Sequence, residues 1–324
     1  MNPLRKVLWA LFTGLILVLA LMSPSLAQTW PQRLVRFIVP LGPGSGVDIT
    51  ARLLADKLTA RWGQPVVVDN RPGGDGIIAI TAFVNARDDH TLLFTPTSAF
   101  TAHPFQQEKL PYNVQDLVPI ARVSITLVAL AVSASLKVSS VGDLIGMVRA
   151  RPGQFNFATA VGMTDFIYEG YFKSAGLVAT RVPYRDTLQA LNDLGEGRIQ
   201  AYVGGLPIVQ PHVQSGRVKL IAMTNVERAP TLPELPTVTQ AGYPALAFDG
   251  LAGLFGPRTM AADIRERIAA DIRAVAADPV LAARLITTGQ VLRLGSPAEF
   301  SASIEEQRAK LAAIVKEIGV KPAQ

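Results

Sequence analysis

Short β-rich segments alternate with glycine-rich loops and helix-like segments along most of this 324-residue chain. The first unit is a strand at 34–39, a loop rich in glycine and proline at 40–46, and a helix at 48–62 with Leu54 and Leu58 on one face. Further strands are predicted at 66–68, 91–94, 155–158, 200–203, 219–222 and 291–294. Alternation at this spacing predicts an α/β fold of right-handed βαβ units with parallel sheets.

Two apolar runs divide these units into two groups. The run 123–132 has no charged residue, and 247–255 is similarly apolar. We interpret them as two strands that cross between two α/β lobes, with a ligand cleft between the lobes. The predicted boundaries place residues 28–128 and 251–324 in the first lobe and residues 129–250 in the second. The chain shows no internal repeat, which excludes a solenoid.

The N-terminal segment has the organisation of a secretory signal peptide. Arg5 and Lys6 precede an apolar run at 7–22, and the small residues at 25–27 are typical of a signal-peptidase site. The apolar run is shorter than the roughly 20 residues that a membrane-spanning helix needs, and no stop-transfer pattern follows it. We therefore predict a cleaved signal peptide at 1–27 and a periplasmic mature chain; the alternative is an uncleaved membrane anchor.

Composition excludes several classes of function. Cysteine is absent, which rules out disulfides, a thiolate metal site, a cysteine nucleophile and a lipid-anchored lipoprotein. The net charge of +6 comes from scattered Lys and Arg residues, so no nucleic-acid partner is predicted. His90, His103 and His212 lack the spacing of a zinc site, and no serine lies in a Gly-x-Ser-x-Gly elbow. We predict no metal, no cofactor and no catalytic residue, and a solvated loop at 88–90.

The loop that follows the first strand carries the richest local signal. It contains Gly44, Ser45 and Gly46 and ends at Asp48, where the next helix begins. Glycine lets a ligand approach the backbone, and a helix start offers free N–H groups to a carboxylate or phosphate. The alternative is a tight turn in which Asp48 caps the helix. The pattern alone does not choose between these interpretations.

Other loops share this position after a predicted strand. They are 73–76, 95–98, 159–165 and 204–205. Ligands of open α/β sheets bind beyond the carboxyl ends of the strands, so several small polar loops at one edge favour a binding site. Tyr184 and Arg185 could offer a hydroxyl and a guanidinium to a carboxylate, or form a surface pair.

Several motifs together resemble one known family. They are Trp30-Pro31, the Pro-Gly-rich loop ending in Asp48, Gly63-Gln64-Pro65, Asn70-Arg71-Pro72-Gly73, Leu110-Pro111-Tyr112, Arg151-Pro152-Gly153, Val182-Pro183-Tyr184, Gly216-Arg217-Val218 and Leu235-Pro236-Thr237-Val238. This set is similar to the extracytoplasmic substrate-binding receptors of tripartite tricarboxylate transporters, the Bug family, over essentially the whole mature chain.

The resemblance implies a two-lobed periplasmic binding protein of type II-like architecture, with two crossover strands and a cleft that closes on a small carboxylate. It implies a monomer that delivers this ligand to the membrane permease components of a tripartite transporter. Alternatives are a sensor component that presents the ligand to a membrane signalling protein, and a secreted α/β enzyme.

Each lobe then contributes candidate ligand-binding residues. From the first lobe we expect backbone N–H groups of the Gly44–Gly46 loop, with Asp48 at its end, and hydroxyl and backbone contacts from Thr97 and Ser98. From the second lobe we expect Thr164, Asp165, Tyr184, Arg185 and Gly205. Asp165 would bind an amine or a hydroxyl or repel a second carboxylate, and Arg185 would bind a distal carboxylate.

The second lobe departs from the family pattern. Relatives often have a histidine after Gly-Thr-Ser where this chain has Thr164-Asp165, Lys-Gly where it has Arg185-Asp186, and an Asp before Asn-Leu-Pro where it has Gly204-Gly205-Leu206-Pro207. In the first lobe, Ser45 interrupts the glycines. We therefore expect the scaffold to be kept and the ligand-selecting wall to differ.

Overall fold

The computed structural model describes residues 30–160, 162–184 and 187–319. The predicted signal peptide at 1–27 and the candidate Arg185 lie outside the described residues. Among the described residues, no helix combines the length and apolarity needed to cross a membrane.

Strands and helices alternate as predicted. The strands are β1 (Val35–Val39), β2 (Val66–Asn70), β3 (Thr91–Pro96), β4 (Leu117–Thr126), β5 (Val128–Ser133), β6 (Asn156–Thr159), β7 (Thr180–Arg181), β8 (Ala201–Gly205), β9 (Val218–Met223), β10 (Gly250–Pro257) and β11 (Gln290–Gly295). The described helices are α1 (Gly46–Trp62), α2 (Ile77–Ala86), α3 (Thr97–Gln106), α4 (Val141–Ala150), α5 (Met163–Ser174), α6 (Thr187–Gly195), α7 (Leu206–Gln214), α8 (Ala262–Ala276), α9 (Pro279–Thr287) and α10 (Pro297–Ile318).

The strands form two mixed sheets, each the centre of one lobe. The first lobe has the order β11-β4-β10-β3-β1-β2, and the second has β7-β6-β8-β5-β9. Strand β1 is parallel to β2 and β3, and β6 is parallel to β7 and β8. Strands β4, β5 and β10 pair antiparallel to their neighbours. The prediction of parallel sheets was therefore wrong for the strands next to the crossings, which run back toward the other lobe.

The chain changes sheets where the apolar runs predicted. Strand β4 ends at Thr126 in the first sheet and β5 begins at Val128 in the second, with Leu127 between them. The return lies between β9 and β10. Thr126 pairs with Gly250, and Val128 pairs with Gly205. Both crossings therefore join the edge where β3 ends to the edge where β8 ends, and the carboxyl ends of the parallel strands in both sheets meet at one junction.

A buried asparagine holds the two crossings together. The side-chain oxygen of Asn225 accepts a hydrogen bond from the backbone N–H of Val128 at 2.8 Å. Its NH₂ group donates to the carbonyl of Thr126 at 3.0 Å and to the carboxylate of Asp249 at 3.1 Å. Asn225 is 2% exposed. One side chain therefore fixes both chain segments that pass between the lobes.

The C-terminal helix α10 packs against both hydrophobic cores. It begins with a capping box formed by Ser296 and Glu299. Phe300 lies in a core cluster of the first lobe, whereas Leu311 lies in that of the second. Between them, Gln307 accepts a hydrogen bond from Thr97 at 2.6 Å. The predicted boundaries, which stay a prediction, assign 251–324 to one lobe, but α10 forms a third connection between the two.

Replacing Gly170 tests this connection. A Cβ atom at Gly170 of α5 would lie 2.5 Å from a branch methyl of Ile314 in α10. We expect Gly170→Val to lower the free energy of unfolding by about 1–3 kcal/mol through overpacking. The matched control is Gly146→Ala in α4, where a Cβ meets nothing within 4 Å; it should raise stability by about 0.4–1 kcal/mol. Urea unfolding of both variants measures the difference, and equal effects would contradict tight α5–α10 packing.

Candidate ligand-binding site

The predicted anion loop leads directly into α1. Ser45 is the N-cap of this helix, and its hydroxyl accepts the Asp48 N–H at 3.2 Å. The Asp48 carboxylate accepts the Gly44 N–H at 2.8 Å. Ser45, not Asp48, is therefore the cap, and the Gly44 N–H is used inside the loop. The N–H groups of Gly46 and Val47 belong to those that a helix start leaves without an intrahelical partner, which makes them candidates for contact with a ligand.

Asp48 braces this loop from within. It is 1% exposed, and it accepts hydrogen bonds from Asn70 at 2.8 Å and from Arg52 at 3.0 Å. Burial opposes its charged form, but the hydrogen bonds from Asn70, Gly44 and Arg52 outweigh burial and lower the pKa of Asp48. The hydrogen bonds to ionised Asp48 therefore stabilise the folded protein at pH values above the unfolded-state pKa of Asp48. This stabilisation is lost as the pH falls through the lower folded-state pKa. Asn70 of the Asn-Arg-Pro-Gly motif therefore helps to fix the Asp48 side chain in the loop.

Gly46 lies against the turn that leads into β11. A Cβ atom there would lie 2.7 Å from the side-chain nitrogen of Gln290 and 2.8 Å from the carbonyl oxygen of Thr288. Glycine therefore lets the helix start pack on this turn. Any larger residue at position 46 would disturb the packing of the first lobe.

The predicted loop 95–98 is a strand end followed by a helix start, since β3 runs to Pro96 and α3 begins at Thr97. Thr97 is fully buried, and its hydroxyl donates to Gln307. Ser98 is half-buried at the first turn of α3. A Cβ atom at Gly162 of the second lobe would lie 2.9 Å from the Ser98 carbonyl oxygen. Ser98 and Gly162 thus mark a close approach of the two lobes.

A buried histidine holds the loop between β2 and α2 by a hydrogen bond to its backbone. His103 Nε2 lies 3.1 Å from the carbonyl oxygen of Asp75, and Nδ1 contacts the hydroxyl of Tyr112. Burial lowers the pKa of His103, which favours the neutral ring. The Tyr112 hydroxyl then donates to Nδ1, and the Nε2–H donates to Asp75. This contact fixes the exposed Asp75, whose φ of 54° is in the left-handed region.

The opposite wall is the start of α5. This helix begins at Met163, so the predicted loop 159–165 was too long, and Thr164 and Asp165 lie in the first helical turn. The Thr164 hydroxyl donates to the carbonyl of Ala160. The Thr159 hydroxyl, at the end of β6, donates to the Asp165 carboxylate.

Asp165 has an unusual electrostatic environment. It is 7% exposed, and its second oxygen lies 3.4 Å from Arg181 at the end of β7. Burial raises the pKa of Asp165 to about 6; the Thr159 hydrogen bond and the charge of Arg181 oppose this, while Glu169 and Asp75 add to it. Asp165 lies near the junction between the lobes, because Gly162, which precedes its helix, approaches the Ser98 carbonyl of the first lobe.

The remaining second-lobe candidates have structural partners. The Tyr184 hydroxyl donates to Asp193 of α6 at 2.7 Å, and burial together with this hydrogen bond raises the pKa of Tyr184 to about 12. Gly205 precedes α7 and pairs with Val128 at the first crossing. At the end of the same strand, a Cβ at Gly204 would collide with the ring of Tyr202.

The structure therefore brings together only part of the predicted set. The α1 start and Ser98 come from the first lobe, and Thr164, Asp165 and Gly205 come from the second, all at the carboxyl ends of strands. The predicted loops 73–76 and 159–165 contain Asp75 and Thr159 without singling them out, and sequence reasoning missed Arg181, Tyr202 and Asn225. Thr159 and Asp75 follow predicted strands, a signal that could have found them, whereas no predicted strand marks Arg181 and no local pattern singles out Asn225.

The segment 88–90 is a loop before β3, as predicted, but it is only partly solvated. His90 is 6% exposed, and the three side chains lie close enough to share an ion. Arg33 lies 2.5 Å from the Asp88 carboxylate, which also accepts hydrogen bonds from the His90 N–H and the Thr91 hydroxyl. These contacts give the cluster a structural role at the start of β3.

Comparisons with known proteins agree with this geometry. The family model described as "Tripartite tricarboxylate transporter family receptor" matches residues 50–320. The chain belongs to this family. A UPF0065 protein of Bordetella bronchiseptica is 33% identical, with 94% of this chain and 92% of the relative covered. Protein BugT of Bordetella pertussis is 30% identical, with 92% and 93% covered.

A solved structure extends the likeness to three dimensions. The R. palustris protein Rpa4515, solved with adipate, has a TM-score of 0.80 and 27% identity, covering 90% of this chain and 99% of that protein. The matched family consists of receptors of tripartite tricarboxylate transporters. A second solved structure, described as a periplasmic transporter, is 26% identical with a TM-score of 0.79 and covers 90% of this chain and 99% of that protein. The two sheets and their crossings are thus the two lobes of a periplasmic binding protein.

Proposed function

We propose that this receptor captures a small carboxylate between its lobes and delivers it, without catalysis, to the membrane permease of a tripartite transporter. The observation that carries the proposal is the convergence of the parallel strands' carboxyl ends at one junction, where the α1 start offers the N–H groups of Gly46 and Val47. The adipate of a relative with the same fold supports the carboxylate class. The signal-peptide pattern at 1–27 supports export to the periplasm, and we propose that the receptor acts as a monomer.

A thermal-shift screen tests the proposal. The protein is unfolded and refolded first, so that copurified ligand is removed. Succinate, glutarate and adipate are compared with their diamides, which have the same length but no charge. A carboxylate at a hundredfold excess over its dissociation constant stabilises the native state by roughly 2.7 kcal/mol. We expect melting temperature increases with carboxylates alone. Equal shifts with the diamides would contradict an anion site.

Ser45 allows a substitution test of the loop. We expect Ser45→Leu to weaken carboxylate binding by at least about tenfold, because the side chain fills the approach to the Gly46 and Val47 N–H groups. Ser45→Ala is the control, since it removes the same N-cap hydroxyl, at a cost of about 1 kcal/mol in stability, but adds no bulk. Calorimetric titration compares the two. Unchanged affinity in a folded Ser45→Leu variant would remove this loop from the site.

A further inference from the structure

The start of α5 has more negatively charged side chains near it than positively charged ones. Asp165 lies in the first turn, where an acid stabilises the helix dipole. Its cationic neighbour, Arg181, also pairs with Glu169 of the same helix. One guanidinium therefore serves two carboxylates. Asp75 of the first lobe lies at the same junction, because the residue after it packs against the first turn of α3, and that turn approaches the residue that precedes α5. When ionised, the three carboxylates carry three negative charges and Arg181 carries one positive charge, so these four groups have a net charge of −2.

This charge distribution distinguishes the two ends of the site. At the α1 start, the Asp48 carboxylate is satisfied within the protein, and the N–H groups favour an anion. At the α5 start, a second ligand carboxylate would be repelled by Asp165, Glu169 and Asp75. Arg181 could not offset this repulsion, because it already pairs with Asp165 and Glu169. A cation there would instead be favoured by Asp165 from one lobe and Asp75 from the other.

We propose, building on the carboxylate-receptor function above, that this receptor selects ligands that carry a carboxylate at one end and a protonated amine at the other, with Asp165 and Asp75 holding the amine across the cleft. The amine donates hydrogen bonds to carboxylate oxygens that can still accept them. Asp165 has only one close hydroxyl donor and a guanidinium at 3.4 Å among its described partners, so it retains acceptor capacity. Neutralising a carboxylate from each lobe favours the closed form, so the amine also contributes to closure.

Three ligand series of matched length test the proposal by calorimetric titration. The first carries a terminal amine (γ-aminobutyrate, δ-aminovalerate, ε-aminocaproate). The second carries a second carboxylate (succinate, glutarate, adipate), and the third carries neither (butyrate, valerate, caproate). We expect an amino carboxylate to bind at least about tenfold more tightly than the diacid of its length. Asp165→Asn should abolish this preference, while the control Asp56→Asn, which removes an exposed carboxylate of α1, should keep it.

The pH dependence supplies a readout that a merely structural Asp165 would not give. The charged groups facing it are Arg181, Glu169 and Asp75, with Tyr202 and Thr159 as neutral neighbours. Because the Asp165 pKa is near 6, the carboxylate ionises as the pH rises through this value. Amino-carboxylate affinity should therefore rise through pH 6 in the native protein and stay flat in Asp165→Asn. Diacid affinity should fall or stay constant over the same interval.

The outcomes separate this proposal from the function on which it rests. Tighter binding of diacids than of amino carboxylates, or an amine preference that survives in Asp165→Asn, overturns the proposal and leaves a carboxylate receptor. Failure of every amino carboxylate to bind also overturns it. If the uncharged diamides bind as well as the charged series, the carboxylate function itself is wrong. Because burial disfavours the charged form of Asp165, Asp165→Asn should melt at a higher temperature than the native protein at neutral pH without ligand. This result would show that loss of binding does not come from unfolding.

Discussion

Replacing Asn225 with leucine should destabilise the protein more than any other single substitution considered. The change leaves the Val128 N–H and the Thr126 carbonyl without their side-chain partner. Each buried polar group left unpaired costs about 1–3 kcal/mol, so we expect a loss of about 3–5 kcal/mol in the free energy of unfolding. Leucine is no smaller than asparagine, so a cavity does not contribute.

The control for Asn225→Leu is Asn192→Leu on an exposed position of α6. It makes the same chemical change outside the crossings and should alter stability by less than about 0.5 kcal/mol. Urea unfolding followed by circular dichroism measures both variants. Equal stabilities of the two variants would show that Asn225 does not hold the crossings together.

Replacing Gly162 with alanine should have the largest effect on ligand affinity. The new Cβ would lie 2.9 Å from the Ser98 carbonyl oxygen of the other lobe, closer than a normal contact. Opening the cleft relieves this contact, so the substitution penalises the closed form. We expect carboxylate affinity to fall by about 10- to 100-fold, which corresponds to about 1.4–2.7 kcal/mol.

Gly176→Ala is a control for adding a Cβ at a glycine with positive φ. Gly176 has a φ of 64° and Gly162 a φ of 101°, but a Cβ at Gly176 meets nothing within 4 Å. Gly176→Ala should therefore lose about 1–2 kcal/mol of stability and keep its ligand affinity. Calorimetric titration of both variants with the same carboxylate makes the comparison. An affinity loss of equal size in both would mean that the Ser98–Gly162 approach does not limit closure.

The fold was largely predictable because its signals are local. The β-rich segments and their glycine-rich loops predicted the strands, and the uncharged run at 123–132 predicted the first crossing. The antiparallel pairing of β4, β5 and β10 was not predicted, because strand direction is set by how the chain returns between lobes. The packing of α10 on both cores was also missed, since Phe300 and Leu311 are apolar helix residues whatever they contact.

The candidate site was predicted less well, because its details depend on contacts between distant residues. The position of the Gly44–Gly46 loop after β1 indicates a site, but the pattern does not show that Asp48 uses the Gly44 N–H. The hydroxyl of Thr97 makes it a candidate, yet that hydroxyl binds Gln307 far along the chain. Asp165 stands out as a departure from the family pattern; its neighbours Arg181 and Asp75 come from separate elements that only the folded chain brings near it.

The central claim is that a small carboxylate binds between the lobes and closes them. The absence of cysteine permits a direct measurement, since Val178→Cys in the second lobe and Val280→Cys in the first provide an exposed pair for spin labels. The distance between the labels is measured by pulsed electron resonance with refolded protein, alone and with adipate, ε-aminocaproate or adipamide. We predict that a charged ligand converts a broad distribution into a single narrow one and that adipamide does not. A distribution that neither charged ligand changes, or that adipamide changes equally, would contradict the claim.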